Sequence, residues 1–248
     1  MLAGLPIEVP NVNVAITQPS VKDIAAFGED DFFMGLQMLI KAESVIAPIK
    51  EGNPQLAMLD TFQLLVVGMN QDVHMRLLIE NFLNFIMPDY EIQLAPGSIN
   101  FKFPEVNQVV GQLNPMNFES FQQTLQSCFL PLNLDADDTP EYNPVNEQAA
   151  AIAEKLRKGA EKAKKLKAME NDKDPVRSLL ANYVSVLSIG LGIDVNVILN
   201  YTLFQLFDGF RRYTTKMQFD LYQKVSTTPM MDTSKMKVPD DWLSNIYK

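Results

Sequence analysis

Between Pro131 and Pro144 the chain reads PLNLDADDTPEYNP. Proline lacks a backbone N–H and fixes its own φ, so neither a helix nor a central strand runs through such a stretch. The carboxylates of Asp135, Asp137, Asp138 and Glu141 are costly to bury unpaired, which keeps it in water. The chain must therefore build its packed structure from what lies on either side. This predicts a domain over residues 1–130, an acidic, proline-rich linker over 131–145, a second domain over 146–228 and a tail over 229–248.

Ahead of the linker, Val12, Val14 and Ile16 alternate with polar residues, which predicts a short strand with one buried face, stopped by Pro19. Ser20 and Asp23 have capping-box spacing for a short helix that runs to Phe27, with Gly28 just past its end. Asp30 and Asp31 favour the next helix start through its dipole. That helix carries Phe32, Phe33, Leu36, Leu39 and Ile40 and closes at Pro48. Asn53-Pro54 reads as a cap followed by proline at the first helical position. The segment behind it, QLAMLDTFQLLVVGM, is apolar on most faces and so is expected to be a central helix. Another helix runs from about Asp72 to Met87, which makes residues 20–87 a compact helical block. The period then changes. Ile92 and Leu94, then Ile99, Phe101 and Phe103, alternate about APGS, a β-hairpin signal near residues 90–103. NFESFQQTLQSCF returns to helix, with Asn117 as cap and Phe118, Phe121 and Leu125 on one stripe.

Beyond the linker the spacing predicts three helices. A lysine-rich one runs from about Asn146 to Met169. A second, capped by Asp174 with Pro175 behind it, carries Leu179, Leu180, Tyr183, Val184 and Leu187 toward Gly190. A helical turn at Val195–Leu199 joins it to the third. That helix opens with Thr202 and Gln205 at capping-box spacing and carries Leu203, Phe207, Phe210, Met217 and Leu221. The expected fold is mainly α with a small β-hairpin: a helical N-terminal block, the linker, and a C-terminal three-helix unit with one long charged helix.

The lysines of that helix are partly answered by glutamates. Glu154 to Lys158 and Glu161 to Lys165 are i,i+4 pairs worth about 0.2–0.5 kcal/mol each. Its uncharged residues are more telling. Ile152, Leu156, Gly159, Ala163 and Leu166 follow a heptad-like spacing with small residues in the middle, a seam on which a partner helix can approach closely. The aromatic pair Trp242 and Tyr247 in the tail forms the second candidate interaction site, since such side chains often anchor interfaces.

Several chemistries are unsupported. The formal net charge is −9, which repels nucleic acid and anionic membranes, and the lysine helix lacks interleaved aromatics for stacking bases. His74 is the only histidine; its helix places it near Leu78 and Phe85, a packed or half-exposed structural position. Cys128, also the only one of its kind, has no disulfide partner in the chain and reads as a small core residue beside Phe129. Four zinc ligands of the Cys/His kind do not exist. An EF-hand loop opened at Asp135 would need glycine where Pro140 stands and glutamate where Asn146 stands. SIGLGID lacks the third glycine and the preceding strand of a dinucleotide loop. MLAGLPIEVP has no basic segment ahead of an apolar one, and no apolar run approaches 20 residues. No catalytic, cofactor or metal residue is expected, and the chain reads as soluble and cytoplasmic.

Five stretches, taken in order, resemble the small helical tail-assembly proteins of tailed bacteriophages, especially those that infect Gram-positive hosts. They are QPSVKDIAAFGEDDFF, NPMNFESFQQTL, NPVNEQAAAIAEKLRKG, TLFQLFDGFRRYTTKMQFDLYQK and DDWLSNIYK. The resemblance implies a non-enzymatic tail assembly chaperone or adaptor that binds tape-measure or tail-tube protein in the host cytoplasm. A structural virion subunit of baseplate or neck is the alternative, and a small helical ligand-binding protein a further one. Self-association is open under each.

Overall fold

The computed structural model describes residues 3–43, 56, 58–105, 108–129, 178–227, 238 and 242–243. These form eight helices and five strands, mostly helical with small antiparallel sheets. The chain divides into two compact units, one of Met1–Leu132 with Tyr183–Lys248 and one of Asn133–Asn182. Elements from both sides of the acidic stretch thus share one unit. The linker itself, and the lysine-rich helix behind it, lie outside the described residues.

The unit opens with a hairpin, β1 (Ile7–Val9) against β2 (Val14–Ile16), in which Ile7 faces Ile16 and Val9 faces Val14. The strand expected from Val12, Val14 and Ile16 is shorter than its pattern. Val12 is buried, but it sits in the turn, between Asn11 and Asn13 at φ 63° and 58°. Asparagine tolerates that left-handed conformation better than valine does, so the two asparagines flank Val12 and set the reversal. The hairpin hands over to the helices through Thr17 N–H, which donates to Ile86 O at 2.8 Å.

Helix α1 (Val21–Phe27) has the reciprocal capping box expected of Ser20 and Asp23. Gly28, at φ 113°, closes α1 and opens α2 (Glu29–Ile40) at once. α2 ends at Ile40 with a turn at Lys41, and the expected stop at Pro48 lies outside the described residues. Its last carbonyls, of Leu39 and Ile40, accept from Gln122 Nε2 at 2.7 and 3.3 Å, which supplies partners that the helix end lacks. Helix α3 (Thr61–Gln71) begins later than its apolar run. Asp60, inside the expected helix, is instead its N-cap, in a capping box with Gln63. Helix α4 (Val73–Ile86) starts at Asp72, whose carboxylate accepts from the N–H groups of His74 and Met75. His74 lies exposed on that first turn and is not packed against its helix.

The core of the unit is a cluster of phenylalanines. Phe32 lies 5.4 Å from Phe82, 5.6 Å from Phe129 and 6.0 Å from Phe85, mostly edge-on or tilted. Phe27 stacks on Phe85 at 4.4 Å. These are the spacings at which ring pairs add to plain burial. α2 approaches α4 through Gly35, where a Cβ would fall 2.7 Å from that of Phe82.

The expected hairpin is present as β3 (Glu91–Ala95) and β4 (Ser98–Phe103), turned at Gly97 with φ 75°. A third strand, β5 (Gln108–Leu113), pairs with β4 through a register shift at Phe101/Lys102. Tyr90 stacks on Phe103 at 5.4 Å. Helix α5 (Phe118–Phe129) buries the expected stripe of Phe118, Phe121 and Leu125, together with Cys128. Asn117 stands at the expected N-cap position, where its carbonyl accepts from Phe121 N–H at 3.1 Å, but its side chain does not bond the first turn. Its side chain turns back instead: Nδ2 donates to Asn11 O and Gln112 O, and Oδ1 accepts from Asn114 N–H. One buried amide thus joins the first hairpin, β5 and the entry to α5.

The C-terminal part supplies α6 (Leu179–Leu191), α7 (Val195–Leu199) and α8 (Leu203–Ser226). α8 has the expected Thr202/Gln205 capping box. Ser20 and Thr202, the N-caps of α1 and α8, form an isolated antiparallel bridge, and Val21 N–H donates to Tyr201 O at 2.8 Å. α7 lies against α1 and α8 against α5. Tyr183 meets Phe207 and Phe210 edge-on, Leu187 meets Gly209, and Gly190 meets the ring of Tyr213. These contacts climb α6 and α8 together, so the two helices run in the same sense and α7 is part of the return between them.

Candidate interaction surfaces

Of the residues expected to make contact with a partner, Ile152, Leu156, Gly159, Ala163, Leu166 and Tyr247 lie outside the described residues. Trp242 is described. It is half-buried, and its backbone carbonyl accepts from Arg212 Nη1 at 3.0 Å. Arg212 in turn directs Nε to both carboxylate oxygens of Asp208, at 3.2 and 3.1 Å. Asp208 is only 6 % exposed, so a nearly buried carboxylate holds the guanidinium that holds the tail. Charged hydrogen-bonding groups of this kind are stronger than neutral ones.

This clasp was readable in part. Asp208 and Arg212 stand four apart on one helix, acid first, the favourable order. Their link to Trp242 spans 30 residues of sequence and no local spacing announces it. Replacing Arg212 with alanine is expected to free the tail at its Trp242 anchor, weakening docking by about 1 kcal/mol, roughly fivefold in the freed population. Trp242 is the only tryptophan, so a red shift and stronger iodide quenching of its fluorescence measure the release. An unchanged spectrum would mean that Trp242 is held by something else.

The apolar surface of α6 and α8 was less readable. The α8 stripe continues as expected from Leu203 and Phe207 through Phe210, but its cover does not. Leu203 and Phe207 are buried, whereas Met217 and Leu221 are 54 % and 60 % exposed. α6 carries no Asp, Glu, Lys, Arg or His from end to end. It buries Leu180, Val184 and Leu187 on one face and leaves Val186 and Ile189 41 % and 83 % exposed on another.

Two titratable groups are shifted by burial. Burial pushes the Cys128 thiol up from 9.0 to about 12. The folded chain then holds a proton that the unfolded chain releases near 9. The stabilisation is complete below pH 9 and is lost as pH climbs toward 12, at up to about 1.4 kcal/mol per pH unit. At neutral pH the native thiol is expected to resist Ellman's reagent and to react fully once the chain is unfolded in urea. Rapid labelling of the folded protein would overturn this placement. Burial also raises the Tyr183 phenol. Among the described residues no group of three or more His, Cys, Asp or Glu is placed to hold a metal ion, and no helix is long and apolar enough to cross a membrane.

A protein-family profile described as the YomV second domain matches residues 170–247, the segment that holds α6, α7, α8 and the tail as far as Tyr247. That family is phage-associated, of the Bacillus phage type, and the match points to a phage protein. No curated protein and no solved structure matches the chain.

Proposed function

We propose that the chain is a non-enzymatic morphogenesis protein of a tailed phage, an assembly chaperone or adaptor that binds tape-measure or tail-tube protein in the host cytoplasm. The observation that carries this reading is the phage-type match over residues 170–247. Two features of the same segment support it. Its helices leave Ile189, Met217 and Leu221 in water, the arrangement of a surface awaiting a partner. In its tail, the backbone carbonyl of Trp242 accepts from Arg212 of α8, which docks that aromatic residue on the helix. On this reading the protein works by binding, without cofactor, metal, nucleic acid or membrane.

The test is mass spectrometry of proteins captured with the tagged chain from infected cells, set against the protein content of purified virions. Capture of tape-measure or tail-tube protein, with the chain scarce in virions, is the expected result. Abundance in virions at fixed stoichiometry would instead make it a structural subunit, a baseplate or neck component. Within the lysine-rich segment, reversing the charge of Lys162, Lys164 and Lys165 should leave capture nearly intact, because the seam makes the contact. Replacing Ala163 with leucine should reduce it.

A further inference from the structure

We propose that β3 receives an extended strand of a partner protein, which joins the β3–β4–β5 sheet as a fourth member. The proposal rests on the reading above for the partner's identity and adds the form in which it binds. β3 is an outer strand of its sheet. Ala95 and Ser98 close the tight turn, so Glu91, Gln93 and Ala95 direct their backbone groups to β4. The N–H and C=O groups of Ile92 and Leu94 therefore point away from the sheet, and among the described residues no hydrogen bond reaches them. The two edges of the sheet differ. At β5, Gln112 O points outward and accepts from Asn117 Nδ2 at 2.8 Å, the Val12 carbonyl lies against Gly111, and the register breaks at Phe101/Lys102. Natural sheets guard an edge with lysine, proline or such an irregularity. β3 has none of these, and its register runs unbroken from Glu91 to Ala95.

The side chains define what fits. On the core face, Leu113, Ile99 and Leu94 form one cross-strand row, and Gly111, Phe101 and Ile92 another. Ile99, Phe101 and Leu113 are fully buried, but Ile92 and Leu94 are only half-buried, so both rows stop one strand short of full cover. On the other face Gln112 Nε2 donates to Asn100 Oδ1 at 3.0 Å, and Gln93 continues this amide row, exposed. Cross-strand neighbours on one face are the unit that stabilises a sheet. The occupant is thus an extended peptide with apolar residues two apart on one face and a polar, amide-bearing residue between them on the other. Main-chain bonds to Ile92 and Leu94 hold it, and the alternation selects it.

The probe is a capped synthetic peptide, KVTVNVTVK, read by amide hydrogen exchange of the full chain. The amides of Ile92 and Leu94 are expected to slow about tenfold once the edge is about nine-tenths occupied, while that of Gln93, already bonded to β4, changes little. N-methylating the peptide's valines, whose N–H groups would face β3, should abolish the effect; N-methylating its threonines should not. Leu94→Pro removes one outward N–H and leaves the ladder to β4 intact, so it should lose the protection at Ile92. Because that variant could unfold, the N-methyl series on the unaltered chain stands as a second reading. No slowing at millimolar peptide overturns the proposal, as does slowing that survives N-methylated valines. So does protection present without peptide that rises with protein concentration, because a second copy then fills the edge. Tail protein captured undiminished by folded Leu94→Pro overturns it while leaving the chaperone reading intact. Peptide binding without capture of any tail protein upholds it and overturns the chaperone reading.

Discussion

Replacing Phe32 with alanine is expected to cost about 3–5 kcal/mol of folding stability, toward the upper part of the range for a buried aromatic. The ring is fully buried and touches Phe33 on its own helix, Phe82 and Phe85 on α4, and Phe129 on α5. Its removal therefore opens a void shared by three helices. How much of that void can close decides where in the range the cost falls. α2 cannot move toward α4, because Gly35 already lies against the Phe82 side chain with no room even for a methyl group. Urea unfolding followed by far-UV circular dichroism gives the number, with Phe33→Ala as the comparison, since Phe33 is only half-buried. A loss below about 1 kcal/mol for Phe32→Ala would mean that the cluster does not hold the helices together.

Gly111→Ala is the second large effect, expected at about 2–3 kcal/mol, or a fall in Tm of roughly 4–12 °C. The backbone conformation at Gly111 suits any residue, so the cost is steric alone. An added Cβ would overlap the backbone carbonyl of Val12 and come within 2.8 Å of Val14 Cγ1. Neither atom is the free end of a flexible side chain. The whole β1–β2 hairpin must shift, and with it the bond from Asn117 Nδ2 to Asn11 O. Gly97→Asn is the contrasting case. Gly97 has open space around it and only a left-handed φ to satisfy, which asparagine accepts at small cost. Equal melting of the two variants would sink the close approach of hairpin and sheet.

Features set by neighbours in sequence were legible from sequence. The Ser20/Asp23 and Thr202/Gln205 capping boxes depend on residues three apart, and both formed. The Phe118, Phe121 and Leu125 stripe and the hairpin about Gly97 follow from periods of 3.6 and 2. Where a distant partner decided the outcome, the pattern misled or was silent. β1 carries only Ile7 and Val9 on one face between two prolines, and it is a strand because Val14 and Ile16 pair with it. β5 has no clean alternation around Gly111, and its register is corrected by an irregularity at Phe101/Lys102 in β4. Asn117 stands where a cap is expected, yet three partners elsewhere claim its amide. The exposure of Ile189 was hidden for the same reason. Nothing in the spelling of an uncharged helix says which of its two apolar faces the rest of the chain covers. Of the candidate site only Trp242 could be placed, and its hold on Arg212 is a contact that no local pattern encodes.

The pairing of Ser20 with Thr202, and of Val21 with Tyr201, sets an order of events on the ribosome. Residue 21 emerges about 180 residues before its partner, roughly 10–40 s earlier at ordinary elongation rates. During that interval the hairpin, α1, α2 and the phenylalanine cluster can assemble, but the edge that receives α7 and α8 stays open. The nascent N-terminal part therefore waits with apolar surface uncovered. The last helices to be made close it, and they belong to the same segment that carries the phage-type match. A chain truncated before residue 202 should accordingly aggregate or bind trigger factor persistently, because its final covering elements never arrive.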